Sequence, residues 1–185
     1  YYASRGNFVQ ARTVFLRARE RYIKYTWGYP MPAELDLNLA KVTWQLNDLP
    51  TAEKHIHQFL KKVPSSSDGL LLLGKIYQSE GKMDLAKKTY QAIQGGGLDS
   101  AKAYNNLGIL YIQENQFGKA ENAFNASISF YPQIPDAHYN LGKMILSSKK
   151  NQALAQNHLQ RALTYNRNPA MKEEIIRLIK QTQSP

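Results

Sequence analysis

Residues 101–132, AKAYNNLGILYIQENQFGKAENAFNASISFYP, constrain the chain more than any other stretch. Tyr104, Leu107 and Tyr111 recur at helical spacing and form one apolar stripe. Ala120 and Phe124 form the facing stripe of a second helix. Gly108 and Ala120 are small enough to let two antiparallel helices approach closely. Pro132 lacks a backbone N–H and stands where the second helix has to stop. A helix pair of this kind cannot bury its stripe alone, so copies of it are expected on either side.

Sliding the stretch by 34 residues finds them, in windows beginning at residues 33, 67, 101 and 135. Ala52, Ala86 and Ala120 share one place, and Ile56, Tyr90 and Phe124 another. Gly74, Gly108 and Gly142 share the close-approach place, which Ala40 takes in the first window. Asn47, Gly81 and Asn115 fall between the two helices, where a tight turn requires a left-handed backbone. These columns agree on one register, and the chain resembles the tetratricopeptide repeat (TPR) family. The resemblance implies an all-α, right-handed superhelical solenoid of antiparallel helix pairs.

On this register residues 1–32 hold a partial repeat and a linker, residues 33–66, 67–100, 101–134 and 135–168 are four full repeats, and residues 169–185 carry a C-terminal capping helix. In the partial repeat, Gly6-Asn7-Phe8 reads as the inter-helix turn and Tyr2 as the end of a preceding helix. Ala11, Phe15, Ala18 and Tyr22 read as the core stripe of a helix that runs to about Tyr25. Arg12, Arg17, Arg19, Arg21 and Lys24 are expected on its outer faces, and Gly28, Pro30 and Pro32 form the linker. Gly95-Gly96-Gly97 should stop the second helix of the 67–100 repeat near Gln94, because glycine lowers helix stability. The turn Ser147-Ser148-Lys149-Lys150-Asn151 is one residue longer than its counterparts, after which Ala155, Leu159 and Ala162 take the second-helix places. In the capping helix Ile175, Ile176 and Ile179 are expected inward and Lys172, Glu173, Arg177 and Lys180 outward, sealing the last core layer.

The formal charge of +10 is unevenly spread. Residues 1–66 carry ten Lys/Arg against five Asp/Glu, residues 67–134 six against six, and residues 135–185 eight against three. A nucleic-acid track would be basic throughout, so the neutral middle argues against RNA binding, the reading suggested by the basic ends. Twelve tyrosines against six phenylalanines and two tryptophans suit a thin two-layer array, in which a ring packs while its hydroxyl stays wet. The absence of cysteine excludes disulfides and thiolate metal sites. No apolar run reaches the length of a membrane span. The chain starts at Tyr1, which reads as a fragment or processed form and leaves compartment open.

Catalytic signatures are missing. No nucleophile elbow, phosphate-cradling glycine loop or zinc-binding His-Glu-x-x-His motif occurs. The triple glycine follows a helix and precedes no Lys-Ser. His55, His57, His138 and His158 form no ligand set by spacing and are read as structural or surface residues. The expectation is a non-enzyme without metal, cofactor or small-molecule substrate.

A partner site is instead expected on the first helix of each repeat, because the TPR resemblance places the concave surface there. The ninth places are Lys41, Lys75, Ile109 and Lys143; the twelfth are Trp44, Gln78, Ile112 and Leu146; the fifth are Leu37, Leu71, Asn105 and Tyr139. With Glu34, Asp68, Lys102 and Asp136 at the second place, these columns lie along one helical stripe. They describe a groove with an acidic rim, an apolar floor and a row of lysines. Trp44 reads as an anchor or as packing on a neighbouring repeat. The sixth place reads Asn38, Leu72, Asn106 and Asn140. In arrays resembling those of the O-linked sugar transferase and kinesin light chains, asparagines here grip a peptide backbone, to which an amide can both donate and accept. The candidate contacts are therefore Asn38, Lys41, Trp44, Lys75, Asn106, Ile112, Tyr139, Asn140 and Lys143, with Asn106 and Asn140 side by side. The chaperone-tail carboxylate clamp fits less well, since Lys102 has only Asn106 beside it. The function expected is binding of a peptide or partner protein segment. The alternative is assembly of a bacterial envelope machine, on a general similarity to pilotin-like TPR lipoproteins of type IV pili, which would require a lipidated cysteine upstream.

Overall fold

The computed structural model describes residues 7–25, 31–149 and 151–182. Tyr2, Gly6, Gly28, Pro30 and Lys150, to which the sequence assigns turn, linker or helix-end roles, lie outside the described residues. Among the described residues every regular element is an α-helix: α1 Phe8–Tyr25, α2 Ala33–Gln45, α3 Leu49–Lys62, α4 Ser67–Ser79, α5 Met83–Gln91, α6 Gly97–Gln113, α7 Phe117–Phe130, α8 Pro135–Ser148, α9 Gln152–Tyr165 and α10 Pro169–Thr182. They form two compact units, Tyr1–Ile93 and Gln94–Pro185. Within the first, α2 pairs with α3 and α4 with α5; within the second, α6 pairs with α7 and α8 with α9.

Each pair closes through a three-residue turn whose backbone has to reverse within one helical turn. Asn47, Gly81 and Asn115 all have left-handed φ, at 59°, 74° and 59°. In each case the next N–H reaches back to a carbonyl five residues earlier: Asp48 to Thr43, Lys82 to Tyr77 and Gln116 to Tyr111, at 2.8–2.9 Å. This satisfies a helix-terminal carbonyl that would otherwise lack a partner. The fourth turn uses Lys149 in the same column, with φ 55°. The sequence gives no warning of it, since lysine has no preference for that conformation. Helix α9 then starts one residue late, after the extra position expected there.

The close-approach column packs as the repeat register requires. A methyl group added at Gly74 would lie 2.3 Å from the Tyr90 ring, one at Gly108 2.4 Å from the Phe124 ring, and one at Gly142 2.9 Å from Leu159. Tyr90, Phe124 and Leu159 are fully buried. In the second unit Ala120, Phe124, Leu141, Ile145 and Ala155 join into one core cluster. Ser127 ties α7 to α6 through a buried 2.6 Å hydrogen bond from its Oγ to the Ala101 carbonyl.

Several local expectations are corrected. Helix α5 stops at Gln91, three residues before Gln94, because Gly95, Gly96 and Gly97 all take positive φ and the chain has already turned. Helix α6 consequently begins at Gly97 and is 17 residues long. In α1 only Ala11 is buried; Phe15 and Tyr22 are half-buried and Ala18 is exposed. Arg19 is not outward, since it is half-buried with its Nε enclosed. In α10 Ile175 and Ile179 face inward as expected and Leu178 joins them against Leu159 and Ala162, whereas Ile176 is exposed.

The packing yields a matched pair of substitutions. Nothing lies within 4 Å of a methyl group built at Gly118, near the start of α7. Gly118→Ala should stabilise the protein by about 0.5–1 kcal/mol through helix propensity. Gly108→Ala should destabilise it by about 1–3 kcal/mol through overpacking. Urea unfolding of the two variants checks the opposite signs.

Candidate functional site

In the first unit, the stripe predicted for partner binding is drawn into contacts between successive first helices. Trp44 is half-buried. Its indole N–H donates to Ser79 Oγ of α4 at 3.3 Å, and the Lys75 ammonium sits 5.6 Å from the ring centroid. Trp44 thus packs on the neighbouring repeat, one of its two expected roles, and keeps the rest of its ring open. Lys41 lies 3.5 Å from Asp68, also across to α4, with both side chains largely in water. Such a pair contributes little to stability. Asn38 is half-buried, and Leu72, the apolar member of the asparagine column, is buried.

In the second unit the amide pairing is shifted by one residue from the expectation. Asn140 Nδ2 donates to Asn105 Oδ1 at 2.9 Å, not to Asn106. Asn105 is buried, which makes Asn140 the group that satisfies it. Asn106 is half-buried and has no side-chain hydrogen bond among the described residues. Beside Asn140, Tyr139 donates to Glu174 of α10 at 2.7 Å, and Lys143 lies 3.2 Å from the Tyr139 hydroxyl and 3.4 Å from Glu174. Burial first, and then the bond to the Glu174 carboxylate, raise the Tyr139 phenol above its ordinary pKa. The bond from Tyr139 holds the Glu174 carboxyl below its own. The bond to Tyr139 raises the Lys143 ammonium.

Sequence reasoning missed the cavity that these residues border. A cavity of about 780 Å3 opens between α6, α7 and α8. Ile109, Ile112, Phe117, Met144 and Ile145 give it an apolar lining, with Asn140 and Lys143 among its polar residues. Ile112 was expected there. Phe117 and Met144 were not, although Phe117 is 54% exposed at the start of α7. An aromatic residue directly after the turn was the available signal.

The four histidines lie in three structural settings. His55 is buried, with Nδ1 3.5 Å from the buried Asp36 Oδ1, and neither atom has a hydrogen-bond partner among the described residues. The second Asp36 oxygen accepts from Lys62 Nζ at 2.7 Å, and Lys62 also donates to the Met31 carbonyl at 3.1 Å. His57 is exposed beside Glu53 and Tyr77. His138 and His158 pack against each other across α8 and α9. Among the described residues no three His, Cys, Asp or Glu side chains come together as a metal set. No helix of the described residues is long and apolar enough to cross a membrane.

Comparison with known proteins agrees with this architecture. Tetratricopeptide-repeat family models match residues 37–104, 101–134 and 135–169, which together cover most of the chain. The chain belongs to the tetratricopeptide-repeat family, whose repeats mark it as a protein-interaction scaffold. It is 26% identical over 165 residues to the type IV pilus assembly protein PilF of Pseudomonas aeruginosa, a match covering 88% of this chain and 60% of that protein. It is 25% identical over 134 residues to the BBSome complex member BBS4 of Bos taurus, covering 72% of this chain and 26% of that one. It therefore spans less than two thirds of the length of either relative. The crystal structure of yeast Tom70 superposes with a TM-score of 0.77 at 17% identity, covering 98% of this chain and 38% of that one. A structure of Pseudomonas aeruginosa PilF gives 0.74 at 17% identity, covering 98% and 80%. At these identities the structural likeness shows the fold alone.

The buried carboxylate supplies the test for this part of the molecule. Lys62→Met removes the cation closest to Asp36 and should cost about 3 kcal/mol, as expected when one partner of a buried ion pair is lost. Asp36→Leu, which copies Leu70 of the next repeat, leaves the one-third-exposed Lys62 in water and should cost less. Urea unfolding at neutral pH ranks the two.

Proposed function

We propose that the chain is a non-enzymatic scaffold that binds an extended protein segment on the inner faces of its first helices. The observation that carries this reading is the apolar cavity between α6 and α8, with Asn140 and Lys143 at its border and the half-exposed Phe117 beside it. A partner side chain seated there would remove Ile112, Phe117 and Met144 from water. Asn106, whose amide is unspent, would pair with the partner's backbone. In the first unit Asn38, Lys41, Lys75 and the open part of Trp44 offer the same kinds of group. Tyr139 and Lys143 complete the contact set of the second unit.

A second reading places the chain in assembly of a bacterial surface machine such as the type IV pilus. It is favoured by the 26% identity to PilF along 88% of this chain. The two readings are compatible, since an assembly factor of this family would act by binding a partner segment.

The test uses peptides selected on the immobilised protein from a random displayed library. Asn106→Ala should weaken a selected peptide by about 1–3 kcal/mol, through loss of a partner for a buried backbone group. Met144→Ala should weaken it as well. The double charge reversal Arg17→Glu with Arg21→Glu, on α1, should leave affinity within twofold. Calorimetric titration reads all three, and the opposite pattern would place the binding surface elsewhere.

A further inference from the structure

His138, which is buried, and His158, which is half-buried, form a directly bonded imidazole pair that the binding reading leaves unused. His138, on α8, is fully buried, and its Nε2 lies 3.0 Å from the Pro132 carbonyl oxygen. A carbonyl only accepts, so Nε2 of His138 carries the proton. In neutral His138 the other nitrogen, Nδ1, is then an acceptor. It faces Nδ1 of His158, on α9, at 3.1 Å, so His158 is the donor of that bond. The rings are tilted, with centroids 5.3 Å apart, and the Tyr165 ring lies 6.3 Å from that of His138. The arrangement closes only while at most one ring is charged. With both protonated, two N–H groups would point at each other and the bond would be lost.

Among the described residues the pair has no acidic partner. Among the described residues the group on α8, α9 or the helices packed against them that acts electrostatically on both rings is Arg161 of α9, itself a cation. The Tyr165 ring lies beside His138, and the Pro132 carbonyl is already engaged. No carboxylate of α7, α8 or α10 acts on either imidazole.

We infer that the His138–His158 pair is a proton-sensitive latch, which holds α8 on α9 at neutral pH and releases it on acidification. This rests on the binding reading in one respect: α8 carries Tyr139, Asn140 and Lys143, so release of α8 is release of that contact surface. Burial, more than any other cause, lowers both histidines from their ordinary value, and His158 is brought down to about 4 by burial, by His138 and by Arg161. The sign follows. The unfolded chain binds these protons from about pH 6.5 downward, and the folded chain resists them, so stability falls as pH drops from about 6.5 to about 4.

NMR titration of the imidazole carbon-bound protons in the intact chain tests the latch without any ligand. His158 should stay neutral at pH 6 and begin to titrate only below about pH 5, and His138 should titrate below its ordinary value, with the backbone amides of Asn140 and Lys143 shifting in step. Titration of His158 between pH 6 and 7, or amides that do not move with it, would overturn the inference. His158→Gln keeps an amide donor for His138 and removes the titration. Between pH 7.5 and 4.5 the unfolding equilibrium constant of wild type should rise at least about tenfold more than that of His158→Gln. An equal rise in both proteins would overturn the inference too. These readouts use no peptide, so failure of the binding reading leaves them intact and failure of the latch leaves the peptide affinities at neutral pH intact.

Discussion

The structure depends on how closely the two helices of a repeat can approach. At Gly74 and Gly108 the space a methyl group would occupy is already filled by an aromatic ring, and at Gly142 by Leu159. The glycine is therefore no relaxation of the helix but the socket for a large side chain four places into its partner's core stripe. Burial of a full aromatic ring contributes roughly 1.5–3 kcal/mol, which outweighs the cost of about 1 kcal/mol for a glycine within a helix. Where the first repeat places Ala40 at this position, the facing column holds Ile56, which is smaller than the aromatics of the next two repeats. Over the first three repeats the larger socket residue faces the smaller knob, whereas the fourth sets Gly142 against Leu159.

That complementarity explains why so much of the fold was legible in the sequence. A socket residue, a knob residue and a left-handed turn residue recur at fixed offsets, and each has few chemical alternatives. The remaining features depended on choices that periodicity does not make. Adjacent helical residues differ by about 100° in direction, so the orientation of the facing helices decides whether Asn105 or Asn106 meets Asn140. The left-handed Lys149 follows the backbone demanded by its neighbours against its own preference. The cavity beside Phe117 is a gap between three helices, and a gap has no sequence pattern of its own.

Two columns show how one architecture tolerates polar cores. The fourth place reads Asp36, Leu70, Tyr104 and His138, and the twenty-third, allowing for the extra turn residue, reads His55, Thr89, Ala123 and His158. The first and fourth repeats thus carry a polar pair where the inner two carry an apolar residue facing a small one. In the first pair a carboxylate faces the imidazole and a lysine completes the set; in the fourth two imidazoles face each other beside an arginine.

The account stands or falls on the matching of socket to knob, and a double-mutant cycle at Gly74 and Tyr90 measures it most directly. Gly74→Ala should destabilise the protein, because its methyl group meets the Tyr90 ring at 2.3 Å. Tyr90→Ile should destabilise it too, by leaving part of the socket empty. Combined, they reproduce the Ala40–Ile56 pairing of the first repeat, so the double variant should lose less stability than the sum of the two, by about 1 kcal/mol or more of coupling. Additive losses in urea unfolding would contradict the account and show that the two columns do not act as one contact.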